Sequence, residues 1–119
     1  MRLVTAPYKA KTFFFPMTDD KSEGFWAVPL TRTMLHEVRQ NAIVEAGADY
    51  EVADSILDRM ILERCLRGWK RFESQDGKPF DFCKESIKEL WEFNPELAHI
   101  MAQSIRQLFR IGELDEKKN

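Results

Sequence analysis

The chain has 119 residues, 44% of them hydrophobic and 32% charged, and at that size one core removes about two thirds of the unfolded chain's surface from water. Its 18 basic and 20 acidic residues leave a net charge of -2, which supplies no positive field to gather nucleic acid. No apolar run approaches the roughly 18 residues that would span a bilayer. The amino-terminal MRLVTAPYKAK has no apolar core behind its basic residue, so the sequence points to a chain of the cytoplasm with no membrane passage.

In chain order, TFFFPM and FWAVPL are rich in aromatic and β-favouring residues and flank the polar TDDKSEG, a pattern that predicts a β-hairpin over 12–30. Pro16 and Pro29 have no amide to give a ladder, which places them at strand ends or on an outer edge. Helix one is expected from Thr31, a favoured N-cap, to Gly47, a favoured residue just past a helix end, with Leu35, Val38, Ala42 and Ala46 inward. Helix two, capped by Asp49, carries Val52, Ala53, Ile56, Leu57, Met60, Ile61 and Cys65 in two adjacent i, i+4 rows. Its expected stop is Gly68. Early acids, Glu51 and Asp54, and late bases, Arg64 and Arg67, complement its dipole.

The stretch GWKRFESQDGKPFDF, Gly68 to Phe82, interrupts the helices. Asp76-Gly77 suits a tight turn that needs positive φ, and Trp69, Phe72, Phe80 and Phe82 supply apolar mass on its two arms. It reads as a short hairpin or ordered loop joining helices two and three. KESIKELWEF predicts a third helix with Ile87, Leu90 and Trp91 inward. Asn94, Pro95 and Glu96 then mark the start of a fourth, with Leu97, Ile100, Met101, Ile105 and Leu108 on one side and Gly112 as its stop. The fold class predicted is α+β, mainly α-helical. A single domain covers 1–112, with the hairpin over 12–30, the helical part over 31–112 and a frayed charged tail over 113–119.

The residue types that carry chemistry are sparse. His36, Cys65, Cys83 and His99 lie on separate elements without the paired spacing of a zinc site, and the two cysteines read as packed free thiols. All five glycines are isolated, so no phosphate cradle is present. Asp19-Asp20 and Asp54 with Asp58 read as solvated charges rather than acid/base pairs. No catalytic residue, metal or cofactor is expected, and the chain reads as a non-enzyme. A short helix, Asn-Pro and a second helix also give the outline of a helix-turn-helix, but that second helix opens on PELAHIM, apolar or acidic, with Arg106 and Arg110 only late.

The order Gly68-Trp69, then DGKPFDF with Asp76, Gly77, Pro79 and Phe82, a short helix, and Asn94-Pro95 with Glu96-Leu97 resembles the tail assembly chaperones of long-tailed bacteriophages and their prophage relatives. The match covers Arg67 to Phe109, about a third of the chain, and its specificity lies in the order of its parts. It departs at Cys83, where the family has a Ser or Thr helix cap, a better one. The resemblance implies a non-enzymatic protein that binds the tape measure protein and keeps it soluble while tail tube protein assembles around it.

A holding role needs apolar surface left open for a partner or for self-association. The candidates are Phe13, Phe14, Phe15, Phe25 and Trp26 on the hairpin, and Leu108, Phe109 and Ile111 late in helix four. Three consecutive Phe cannot share one side of a strand, so at least one points away from what the others pack on. The alternatives of other classes are a structural tail or head-tail joining component and a small helix-turn-helix DNA-binding regulator.

Overall fold

A computed structural model describes the backbone of residues 12–118 and the side chains of residues 12–107. The elements run β1 (Phe13–Pro16), β2 (Gly24–Ala27), α1 (Arg32–Glu45), α2 (Tyr50–Cys65), β3 (Leu66–Lys70), α3 (Lys84–Phe93) and α4 (Pro95–Lys118). This is the expected α+β, mainly helical class, with the amino-terminal hairpin first and the insert between the second and third helices.

β1 and β2 pair antiparallel, Phe13 with Ala27 through Pro16 with Gly24. Pro16 ends β1 and Pro29 lies beyond β2, the positions that a missing amide allows. The hairpin has a third strand that the sequence pattern does not announce. α2 stops at Cys65 rather than at Gly68 and passes without a loop into β3, which pairs antiparallel with β2. Cys65 and Leu66 prolong the apolar rows of the helix, while the partner of β3 lies far upstream, so local periodicity carries no trace of the strand. The register sets Phe25 opposite Trp69 and Trp26 opposite Gly68, then shifts to Ala27 opposite Leu66, leaving Arg67 as the extra residue of a bulge.

Because side chains alternate across a sheet, these pairings make two rows. Phe15, Phe25 and Trp69 share the inner face, where Phe15 and Phe25 stack at 4.8 Å between ring centroids. Phe14 and Trp26 share the outer face with a 4.9 Å ring separation, and Gly24 makes room for the Phe14 ring beside them.

The helices begin where their caps say. Thr31 Oγ1 accepts from the Met34 amide at 3.2 Å, and Asp49 Oδ1 accepts from Glu51 and Val52 at 3.1 and 3.3 Å. Gly47 follows α1 at φ +64, as a helix-ending glycine does, and Ala48 continues in the left-handed region at φ +70. Val38 and Ala42 of α1 are buried, while Val52, expected inward on α2, stands exposed in its first turn. α1, α3 and α4 all pack on α2. Ile61 and Leu62 of α2 meet Met101 and Ile105 of α4 and Phe25, Ala27 and Leu66 of the sheet in one buried cluster.

α4 does not stop at Gly112; its backbone stays helical to Lys118. One glycine in a helix interior costs about 1 kcal/mol against alanine, and Glu113, Leu114, Glu116 and Lys117 around it are good helix formers.

Gly24 and Gly68 separate two kinds of glycine. A Cβ on Gly24 collides with the Phe15 carbonyl oxygen and the Phe14 ring, whereas one on Gly68 meets only the Trp26 ring at 3.6 Å. Gly24→Ala is therefore expected to lower stability by about 2–3 kcal/mol in chemical unfolding, the cost of overpacking. Gly68→Ala is expected to change it by less than about 0.5 kcal/mol.

Candidate functional site

Three segments converge beside the sheet and leave a groove between them. The first is the loop from β1 to β2. Thr18 Oγ1 donates to Asp20 Oδ1 at 2.8 Å, the Ser22 amide donates to the same oxygen at 3.0 Å, and the Met17 amide donates to the Glu23 carbonyl at 2.8 Å. The Ser22 hydroxyl and amide, then the Thr18 hydroxyl, hold the Asp20 carboxyl down from 3.8 to about 2. A depressed carboxyl stabilises above its ordinary pKa, so this staple is intact at neutral pH and is lost only as pH falls from about 4 towards 2. Met17 thereby sits at a fixed place on the loop, 39% exposed.

The second segment is the insert. Arg71, at φ +61, turns the chain out of β3. Phe80 then donates its amide to the Phe72 carbonyl at 2.8 Å, Glu73 and Pro79 form a bridge, and the Gly77 amide reaches the Ser74 carbonyl at 2.9 Å with Gly77 at φ +77. The Asp76-Gly77 stretch is thus the tight turn that the sequence predicts. Trp69 anchors it. Phe72 and Phe80 stack on the indole at 5.1 and 5.3 Å, Phe82 meets it edge-on at 5.0 Å, and the indole N–H donates to the Phe80 carbonyl.

The third segment is the corner between α3 and α4. Asn94 serves both helices through its backbone: its amide donates to the Leu90 carbonyl at 2.8 Å and its carbonyl accepts from the Ala98 amide at 3.0 Å. Pro95 opens α4 directly. A helix-turn-helix needs a turn of three or four residues, and α3 and α4 are joined by Asn94 alone. At the other end of α3, Cys83 holds the cap position without accepting from a backbone amide of the helix, its Sγ instead lying 3.0 Å from the Ser86 hydroxyl. Ser86 in turn donates that hydroxyl to the Asp81 carbonyl at 2.7 Å, which ties α3 to the insert.

The groove between these segments has a volume of about 850 Å³. Met17, Phe72, Phe80, Leu90, Phe93 and Leu97 give it an apolar lining, and Glu23, Glu73, Asp76 and Glu89 stand around it with Arg71 as the one cation. Phe93 closes α3 with its ring 72% exposed. Neither Met17 nor Phe93 is legible as a site residue in the sequence. A loop methionine and the last residue of a helix gain meaning only once the corner brings them together.

The hairpin aromatics divide. Phe25 is 2% exposed and belongs to the core, so it is not a contact residue; its place opposite both Phe15 and Trp69 turns it inward. Phe13, Phe14, Phe15 and Trp26 are half-buried, with Phe15 against the core and Phe14 and Trp26 on the outer face. Leu108, Phe109 and Ile111 lie outside the described side chains.

Other clusters hold the helices. Arg59 Nη2 donates to both carboxylate oxygens of Glu45 at 2.8 Å, its Nε donates to Glu63 at 2.9 Å, and its guanidinium lies 5.1 Å from the Trp91 ring centroid. Trp91 in turn donates its indole N–H to the Ser55 carbonyl at 2.7 Å. His99 Nδ1 lies 2.9 Å from Asp58 Oδ2, so Asp58 has a partner that its spacing from Asp54 does not reveal. Ser55 shares that hollow, but its hydroxyl makes no hydrogen bond to the imidazole, the link that a serine nucleophile needs. Among the described residues no group of three or more His, Cys, Asp or Glu is placed to hold a metal ion. No described helix is long and apolar enough to cross a membrane.

No family model, curated protein or solved structure matches this chain.

The two thiols, expected to be packed alike, are not alike. Cys65 is buried where α2 meets the sheet, and burial pushes its thiol up to about 11, while Cys83 is exposed as the cap residue of α3. Iodoacetamide at pH 8 is expected to modify one thiol per native chain, at Cys83, and two in denaturant. Labelling of native Cys65 would mean that the junction between α2 and β3 opens freely.

Proposed function

We propose that the chain is a tail assembly chaperone of a long-tailed bacteriophage or prophage, non-enzymatic, which binds the tape measure protein and keeps it soluble during tail tube assembly. The observation that carries this reading is where the resembling motifs fall. Trp69 of Gly68-Trp69 anchors the insert from β3, Asp76-Gly77 turns it, and Asn94-Pro95 makes the helical corner, so that three motifs separated in sequence frame one groove. Phe93 and Met17 expose there the apolar area that a holding protein presents to a helical client, and Phe72 and Phe80, stacked on Trp69, form part of the same lining.

Co-expression with a phage tape measure protein tests the reading. The client is expected to stay in the soluble fraction and to co-purify with the wild-type chain. Phe93→Asp, a change at an exposed ring that leaves the core intact, is expected to weaken capture about tenfold or more, as loss of a central aromatic anchor does. Undiminished capture by both Phe93→Asp and Met17→Asp chains would rule out the groove as the holding surface, and an insoluble client in the presence of the wild-type chain would rule out the chaperone role.

A further inference from the structure

The charges around the groove say which face a client helix presents. Glu37, Glu45, Glu63 and Asp58, on α1 and α2, are each paired with Arg64, Arg59 or His99. Glu23, Glu73, Asp76 and Glu89 make no such pair among the described residues, and they come from three different segments that face one another only across the groove. Arg71 is the single cation among the lining residues. The lining thus carries four carboxylates against one guanidinium, a local excess of acid.

The geometry points to a second property. The lining is made of side chains from two loops and two helices, with no run of unpaired strand backbone for an extended peptide to join. A helix satisfies its own backbone and needs only an apolar stripe to lie in such a groove. We propose that the occupant is an amphipathic α-helix whose polar face is basic: its apolar i, i+3, i+4 and i+7 residues cover Met17 and Phe93, and its lysines or arginines meet Glu23, Glu73, Asp76 and Glu89. This deepens the chaperone reading and rests on it only for the name of the client, since the charge and the groove are properties of this chain. Like charges in the cleft disfavour an acidic helix of the same apolar pattern, which gives the site a choice among helices as well as an affinity.

The test uses the full chain and two synthetic helical peptides with the same apolar face, one with lysines and one with glutamates on the polar face, followed by fluorescence anisotropy. The lysine peptide is expected to bind about tenfold or more tightly than the glutamate peptide, and to lose most of that advantage between low salt and about 0.5 M salt, where surface charges are screened. The combined change Glu23→Lys, Glu73→Lys, Asp76→Lys and Glu89→Lys, all at exposed positions, is expected to reverse the preference, with circular dichroism confirming an unchanged fold. Equal binding of the two peptides, tighter binding of the glutamate peptide, or binding of neither would overturn the proposal. So would a dimer in sedimentation that Phe93→Asp dissociates, because the groove's occupant would then be a second copy of the chain. Failure here with the client still held through Phe93 leaves the chaperone reading standing. A clear lysine preference with no effect on the client's solubility overturns that reading and leaves the basic helix.

Discussion

Trp69 is the residue on which the two halves of the molecule depend. It lies in β3, the strand that ties the end of α2 to the amino-terminal hairpin, and its ring is also the platform for Phe72, Phe80 and Phe82 of the insert. An aromatic pair contributes about 0.5–1.5 kcal/mol beyond its buried area, so three such contacts and an indole hydrogen bond rank among the larger local terms in a domain of this size. Without that platform the insert would be a loop of thirteen residues, 71–83, with few reasons to hold a shape. With it, the Asp76-Gly77 turn and the carboxylates beside it stand at fixed positions opposite the corner of α3 and α4.

Much of this was readable along the chain, because much of it is local. The hairpin follows from two aromatic runs around a polar loop, and α1, α2 and α3 start at Thr31, Asp49 and Cys83, where cap chemistry or its absence is visible in the residue itself. β3 is not legible in the sequence, since Leu66 continues the helical apolar rows, Gly68 reads as a helix stop, and the segment becomes a strand only through β2. Phe25 reads as a surface candidate but is buried, for a related reason. Alternation in a strand says that neighbours face opposite ways, and only the helices packed on one face say which way is in.

The site was legible in part. Trp69, Asp76, Gly77, Asn94 and Pro95 stand out by type and order, and they are the residues that shape the groove's walls. Part of the lining is hidden in the sequence: Met17 is in a loop, Phe93 ends a helix, and Glu23, Glu73 and Glu89 look like any solvated charge until their segments meet. Pairing of charges is a tertiary property. Glu63 lies one turn from Arg59 and can be paired by spacing, but Glu37 and Glu45 are locked to arginines of another helix, and no spacing rule separates them from the acids left open at the groove.

In the proposed role, an exposed ring at the end of α3 is tolerated because a client covers it during assembly and leaves afterwards. Such a surface has to bind without fusing, which favours a small apolar floor with a charged rim over a wide apolar face. The most direct measurement is hydrogen–deuterium exchange of the chain with and without the tape measure protein proposed as its client. The account predicts added protection in three separate stretches, the β1–β2 loop, the first half of the insert and the end of α3 into α4, with the α1–α2 turn unchanged. Protection confined to the outer face of the hairpin or to the α1–α2 turn would contradict it.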